Sequence, residues 1–270
     1  MHMIEKFQKK KSYTIDDLLN IMALLRSPDG CPWDRVQTHE SIRKSFIEET
    51  YEVIEAIDKQ DTVLLCEELG DVLLQVIFHA QMEAENGTFT FDDVVNGLAQ
   101  KLVERHPHVF GDVVADTPQA VSANWEKIKS QTKQRHSVSD KMDAVPRQLP
   151  ALMRAQKIQK AAAKVGFDWD APDGALQKVQ EERLEVENAL QNKDRENLEE
   201  EIGDLLFSAV NVARLCHVDA EEALTRATDK FQGRFSKVET LAKARGISMP
   251  DEPLEVLDKL WDEVKTEESK

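Results

Sequence analysis

At 270 residues the chain is long enough for one large domain or two modest ones, and its 51 acidic and 35 basic residues give a formal net charge of −16. This negative excess repels phosphate backbones and anionic lipids, and no apolar stretch reaches the ~20 residues of a membrane span, so we expect neither a nucleic-acid-binding nor a membrane protein. Aromatic residues make up only 6%, which disfavours a strand-rich fold, and three distant cysteines without a C-x-x-C pair predict neither disulfides nor a zinc site, as is typical of the reducing cytoplasm.

Helix signals follow one another along the chain. Seven threonines or aspartates precede runs with apolar residues at three-to-four spacing and are predicted N-caps. They are Thr14, Thr38, Asp61, Thr90, Asp173, Asp194 and Asp219. Predicted helix ends lie at Ser27–Gly30, at Glu85–Gly87 and at Gly246. The pattern predicts an all-α protein, with about five helices in residues 14–135 and five more in 150–266.

The two halves of the chain are copies of one unit. A shift of 133 residues places Phe46–Ala80 on Val179–Ala213, with thirteen identities in the stretch 47–80. Because two copies are too few for a solenoid, a duplicated helical domain is the better interpretation. We assign residues 12–135 to an N-terminal domain, 136–149 to a polar linker and 150–266 to a C-terminal domain.

Acidic residues concentrate in the repeated stretch. Glu48, Glu49 and Glu52 fall within about 100° of one another on a helix, which by itself is also compatible with a solvated surface. On the next predicted helix, Glu68 and Asp71 emerge from an apolar face, where an unpaired charge costs several kcal/mol. The second copy repeats the pattern with Glu181, Glu182, Glu185, Glu201 and Asp204.

An antiparallel hairpin of these two helices would bring five acids together in each copy. Such a cluster requires protons or a cation, and oxygen ligands without His or Cys favour Mg²⁺ first and Mn²⁺ second. A di-iron carboxylate bundle is disfavoured, because Asp71 and Asp204 stand where that site needs a histidine. Pairing with basic side chains from elsewhere in the fold is the remaining alternative.

Basic and aromatic residues also recur in the same order in both copies. They are Lys101, Arg105, Trp125 and Lys129 in the first copy, and Lys230, Arg234, Trp261 and Lys265 in the second. Lysine and arginine hold polyphosphate beside a metal ion, and tryptophan can stack on a base. Together with the acids, this set predicts a metal-dependent nucleotide site. Trp33 and Trp169 lie in predicted loops and are expected to cover domain edges.

The doubled acidic motif resembles that of a known family. Glu48-Glu49-x-x-Glu52 followed by Glu68-x-x-Asp71, together with its second copy, resembles the E-E-x-x-E…E-x-x-D signature of the MazG nucleoside triphosphate pyrophosphohydrolases. Three further stretches resemble the long, two-domain bacterial form. They are Cys31–Asp34, His106–Phe110 and Lys164–Trp169. The resemblance covers roughly residues 12–265.

The resemblance implies an all-α homodimer that hydrolyses a nucleoside triphosphate to a monophosphate and pyrophosphate. It implies Mg²⁺ dependence and broad base tolerance, with acids that bind the metal and position water, and basic residues that contact phosphates. Glu182 or Glu185 is the candidate base that takes the proton of the attacking water, with Glu49 or Glu52 as its counterpart in the first copy.

The two copies differ at positions that could bind a nucleotide. Lys178 corresponds to Ser45, and Asn211 corresponds to Phe78. The second copy therefore keeps more polar groups, and we expect the C-terminal domain to be the more active one. Two alternatives stay open: a nucleotide-sensing or partner-binding helical module with little turnover, and a dUTPase-like enzyme with strict base selection.

Overall fold

The computed structural model of the chain describes residues 7–121, 124–125, 128 and 137–268. The described residues form helices and loops without a β-strand, so the all-α prediction is confirmed. The helices of the first half include α1 (Ile15–Arg26), α2 (Pro32–Arg35), α3 (Arg43–Asp58), α4 (Thr62–Asn86), α5 (Phe91–Arg105) and α6 (Pro107–Phe110). Those of the second half are α7 (Val138–Asp143), α8 (Ala151–Ala163), α9 (Pro172–Asn192), α10 (Arg195–Leu215), α11 (Ala220–Ala244) and α12 (Leu254–Glu268), with a 3₁₀ turn at Met249–Asp251.

Local side-chain chemistry sets most helix starts. Five of the seven predicted N-caps are confirmed, because their side chains accept a hydrogen bond from a backbone N–H in the first turn. They are Thr14, Asp61, Thr90, Asp194 and Asp219. Thr38 was wrong, since its hydroxyl accepts from Ser41 N in a turn and α3 begins only at Arg43. Asp173 was also wrong, because Pro172 already occupies the first helical position.

The predicted helix ends are confirmed. Ser27 terminates α1, and Gly87 terminates α4 in the left-handed conformation at φ 72°. Gly246 follows the last turn of α11 with φ 70°, a conformation that glycine adopts without strain.

The chain divides into two compact units, Met1–Lys129 and Ser130–Lys270. In the first unit, α3 and α4 form a hairpin, and α1 packs against α4. Their core contains Met22, Ile42, Ile77, Phe78 and Met82. This core fixes the position of α4, which carries two of the five motif acids.

The second unit is built around the hairpin of α9 and α10, with α8 packed against α10. A separate apolar cluster joins α11 to α12 through Val238, Ala242, Leu260 and Val264. Part of the predicted linker belongs to this unit, because Ser137 caps α7 by a reciprocal capping box and α7 packs against α8. No helix among the residues with assigned positions combines the length and apolarity needed to cross a membrane.

Candidate active site

Four carboxylates meet between α3 and α4 in the N-terminal unit. Oxygen atoms of Glu49, Glu68 and Asp71 lie within 4.8 Å of one another, and the Glu52 carboxylate contacts those of Glu49 and Glu68. Burial raises the pKa of Glu49, and the neighbouring Glu52 and Asp71 carboxylates raise it further. Burial and Glu52 likewise raise the pKa of Glu68. The cluster therefore favours a proton or a cation.

The C-terminal unit repeats this cluster between α9 and α10. Oxygen atoms of Glu182, Glu201 and Asp204 lie within 4.8 Å of one another, and Glu182 is only 3% exposed. The hydrogen-bonding contact with Glu182 raises the pKa of Glu185, and burial adds to the shift. Unlike the first cluster, this one includes a basic group, since Lys178 Nζ lies 2.5 Å from Glu182 Oε1.

The fifth acid of each motif lies outside its cluster. Glu48 is exposed and pairs with Lys44 at 2.9 Å, and Glu181 is exposed and pairs with Lys178 at 2.9 Å. Adjacent helical residues point about 100° apart, so Glu48 and Glu181 cannot face the second helix together with the glutamate that follows each of them. The expected convergence of five acids is thus corrected to four in each copy.

A cavity of about 460 Å³ opens beside the C-terminal cluster, a volume in the range of small-molecule sites. Lys178, Glu182 and Asp204 line one part of it. The other walls combine apolar or aromatic side chains with a few polar groups. These lining residues include Ile158, Gln159, Phe167, Trp169, Phe207, Ser208, Asn211 and Arg214. The acids therefore face a space that could receive a flat apolar group.

Hydrogen bonds hold the walls of this cavity in place. Gln159 Nε2 donates to the carbonyl oxygen of Phe207 at 2.8 Å. Arg214 forms a salt bridge with Asp168, which lowers the pKa of that carboxyl, and its Nε donates to Asn211 Oδ1 at 2.8 Å. The Asn211 oxygen already accepts from Arg214, and its NH₂ group, which has no hydrogen-bond acceptor among the described residues, can donate to a bound molecule.

The MazG nucleotide pyrophosphohydrolase domain matches this chain twice, at residues 37–110 and 171–239. The chain belongs to the MazG family. It is 48% identical over 257 residues to the nucleoside triphosphate pyrophosphohydrolase/pyrophosphatase MazG of Thermotoga maritima, covering 95% of this chain and 98% of that protein. It is 47% identical to the nucleoside triphosphate pyrophosphohydrolase of Escherichia coli K12, covering 94% and 98%. The uncharacterized protein YabN of Bacillus subtilis is 48% identical over 97% of this chain and 54% of its own length.

The two MazG domains differ at positions of the cavity. Phe78, the counterpart of Asn211, is buried in the core cluster with Met22 and Ile77. Gln75 stands where the C-terminal domain has Ser208, and it is also buried. The N-terminal MazG domain therefore keeps the acids, but a buried phenylalanine stands where the C-terminal domain has the cavity residue Asn211.

The predicted basic and aromatic residues lie elsewhere in the C-terminal MazG domain. None of Lys230, Arg234, Trp261 and Lys265 belongs to the described lining of the cavity. Trp261 packs against the apolar cluster of α11 and α12, and Arg234 Nε donates to Glu268 Oε2 at 2.6 Å. These residues lie away from the cavity because α11 meets α8 near its first turn. There, Met153 N donates to the carboxylate of Glu221, whereas Lys230 lies more than two turns further along α11.

The corresponding set in the N-terminal MazG domain is partly described. Arg105 is buried, with its guanidinium 5.1 Å from the centre of the Trp125 ring, and Lys101 is exposed. Lys129 lies outside the described residues. Burial against tryptophan gives Arg105 a packing role in this domain.

Several cavity residues were not identified from the sequence. Trp169 was expected to cover a domain edge, but it lines the cavity, where its indole lies against the bare Cα of Gly174. Phe167 and Arg214 also contribute, through the loop after α8 and the last turn of α10. The signal that could have found Phe167 and Trp169 is the Gly166–Trp169 stretch itself, which combines two aromatic residues with an aspartate beside the acidic repeat.

Proposed function

We propose that the chain is a nucleoside triphosphate pyrophosphohydrolase that converts a triphosphate and water to a monophosphate and pyrophosphate in its C-terminal MazG domain. The observation that carries this proposal is a carboxylate cluster, Glu182, Glu201 and Asp204, that opens into a cavity of about 460 Å³. Relatives that this chain matches over nearly their whole length are named for this activity. An apolar cavity beside an acidic cluster suits a nucleotide, whose base is flat and whose phosphates need cations.

The donor set fits Mg²⁺, with Mn²⁺ as a substitute, because three carboxylate oxygens converge within 4.8 Å in each copy and no His or Cys is among them. Glu182, Glu201 and Asp204 would hold the ion in the C-terminal domain. When bound, such an ion neutralises charge on the triphosphate and polarises a phosphoryl group.

Glu185 is the base we propose for the attacking water. Its carboxylate contacts Glu182 but lies outside the group of three converging oxygens, so it would stay available to accept a proton while those three hold an ion. As the water oxygen bonds to the phosphorus on one side of the α,β-bridging oxygen, Glu185 would take its proton, and the bond between that phosphorus and the bridging oxygen would break to give monophosphate and pyrophosphate.

The cavity would hold the nucleobase of the substrate, and the acids would face its phosphates. Phe167, Trp169 and Phe207 provide apolar contact that any base can use, which supports broad base tolerance. The free NH₂ of Asn211 and the ammonium of Lys178 would add polar contacts to the nucleotide. The N-terminal domain, with Phe78 buried in its core, would have a weak or regulatory role.

We further propose a cytoplasmic homodimer. Large apolar side chains on α9 to α11 are exposed, among them Leu184, Leu206, Leu224 and Phe231, and a second copy would cover such a surface. The predicted phosphate contacts of Lys230, Arg234 and Lys265 would then come from the partner, because these residues do not line the cavity of their own chain. Free thiols at Cys31, Cys66 and Cys216 suit the reducing cytoplasm, where the substrates occur.

Product analysis tests the proposal. The protein is incubated with the common ribo- and deoxyribonucleoside triphosphates, with and without Mg²⁺, beside the variants Glu182→Gln and Glu187→Gln. Glu187 is the control, because it pairs with Arg183 on the exposed side of α9. We expect monophosphate and pyrophosphate only with metal, and a loss of at least a hundredfold in Glu182→Gln alone. Diphosphate with orthophosphate would contradict the cleavage position, turnover of dUTP alone would favour the dUTPase-like alternative, and no product would favour a sensing module.

A further inference from the structure

Lys178 is an internal cation of the C-terminal acidic cluster. Its Nζ lies 2.5 Å from Glu182 Oε1 and 2.9 Å from Glu181 Oε1. Glu182 is the most buried of the converging acids, and Lys178 lies one helical turn before it, at the wall of the cavity. The ammonium group is therefore paired with the carboxylate that a metal ion would need.

The N-terminal domain has the same acids without this cation. Ser45 takes the place of Lys178, and no lysine or arginine of the described chain forms a salt bridge with Glu49, Glu52, Glu68 or Asp71. The two domains thus provide an internal comparison, in which one acidic cluster holds its own counter-charge and the other does not.

An ammonium group and a divalent ion cannot share Glu182 without strong repulsion. Bound to one carboxylate, they would lie within about 4–5 Å of each other, a distance at which two positive charges repel. Ion binding must therefore displace Lys178 from Glu182. Since Lys178 also lines the cavity, its side chain can turn from the acid to a phosphate group without a change of the backbone.

We propose that Lys178 couples metal binding to nucleotide binding, by holding Glu182 until a divalent ion displaces its ammonium towards the triphosphate. The inference rests on the proposed function, and it makes Lys178 more than a phosphate contact. Without nucleotide, Lys178 opposes metal binding. With nucleotide present, the displaced ammonium gains a phosphate partner, so the metal ion and the nucleotide strengthen each other's binding by the same factor.

Mn²⁺ binding without nucleotide tests the first half of the proposal. The full chain is used with its N-terminal cluster disabled by Glu68→Gln and Asp71→Asn, and free Mn²⁺ is measured by electron paramagnetic resonance. We expect Lys178→Met to bind Mn²⁺ about five- to thirtyfold more tightly than the parent chain. Lys157→Met is the control, because Lys157 is exposed on α8 and forms no salt bridge in the described part of the structure, and it should change the affinity less than twofold.

Binding of α,β-methylene-ATP at saturating Mn²⁺ tests the second half. Here Lys178→Met should weaken binding about five- to thirtyfold, so that one substitution moves the two affinities in opposite directions. In the reverse experiment, Ser45→Lys in a chain carrying Glu182→Gln should weaken Mn²⁺ binding by the N-terminal cluster, which provides a test even if Lys178→Met folds poorly.

The possible failures are distinguishable. Equal Mn²⁺ affinity in the parent and Lys178→Met chains would overturn the coupling and leave the proposed function intact. A loss of nucleotide affinity without a gain in Mn²⁺ affinity would reduce Lys178 to a phosphate contact and also overturn it. If no variant binds Mn²⁺ at millimolar concentration, the metal site of the proposed function fails, and the coupling fails with it.

Discussion

The wall of the cavity depends on the absence of a side chain at Gly174. A Cβ atom at this position would lie 2.2 Å from Cδ1 and 2.7 Å from Cγ of the Trp169 indole, far inside the contact distance of two carbon atoms. The substitution Gly174→Ala must therefore push the indole away from helix α9. Since Trp169 lines the cavity beside the acids, the change should affect nucleotide binding as well as stability.

The size of the effect follows from the burial of the indole. Trp169 is 44% exposed, and a buried tryptophan covers up to ~250 Å², so roughly 140 Å² is at stake. At ~25 cal/mol per Å², complete loss of this contact would cost about 3.5 kcal/mol. The side chain can pack again in part, and alanine favours the helix by ~0.5–1 kcal/mol over glycine. We expect a net loss of about 1–2 kcal/mol and a severalfold higher KM for ATP.

Urea unfolding followed by circular dichroism, together with steady-state kinetics, provides the assay. Gly233→Ala is the matched control, because Gly233 lies within α11 and a Cβ there meets nothing within 4 Å. That variant should be as stable as the parent chain or slightly more stable. If Gly174→Ala shows the same unfolding midpoint and KM as Gly233→Ala, the indole does not form the cavity wall described here.

Three further predictions concern stability and assembly. His39 Nδ1 lies 2.6 Å from His79 Nδ1, and its Nε2 lies 2.7 Å from Glu83 Oε1. Burial and His39 lower the pKa of His79, so His79 gains a proton at higher pH in the unfolded chain than in the folded one. The N-terminal unit should therefore lose stability as pH falls from ~6.5 to 5, and His79→Gln should reduce this pH dependence in urea titrations. Phe78→Ala should destabilise the same unit by about 3–5 kcal/mol, measured by thermal unfolding, because Phe78 lies in its buried core; a loss below 1 kcal/mol would show that this core is not packed as described. Phe231→Glu should convert the proposed homodimer to a monomer in analytical ultracentrifugation, because Phe231 belongs to the exposed apolar surface. An unchanged sedimentation coefficient would contradict the proposed interface.

The helices and the acidic clusters were largely predictable, because their signals are local. N-caps such as Asp61 and Asp194 bond to their own first turn, and the spacing of Glu49 with Glu52 already places both on one face. The failures arose where local signals compete. Thr38 forms a turn with Ser41 before the helix begins, and Glu48 points away from its neighbour because adjacent helical residues diverge.

The cavity was not predictable in the same way, because its walls come from separate segments. The loop with Phe167 and Trp169 lies against α9 and α10 only in the folded unit, and Gly174 allows this approach through the side chain it lacks. Likewise, repeat order alone suggested that Lys230 and Trp261 join the acids. Their position depends on how α11 and α12 pack against each other, which the repeat does not specify.

The central claim is that hydrolysis occurs at the C-terminal cluster, beside the cavity. The most direct test is the rate of pyrophosphate release from ATP with Mg²⁺ in two single variants, Glu182→Gln and its repeat counterpart Glu49→Gln. We predict that Glu182→Gln loses at least a hundredfold in kcat/KM, whereas Glu49→Gln stays within about threefold of the parent chain. An equal loss in both variants, or a larger loss in Glu49→Gln, would contradict the claim.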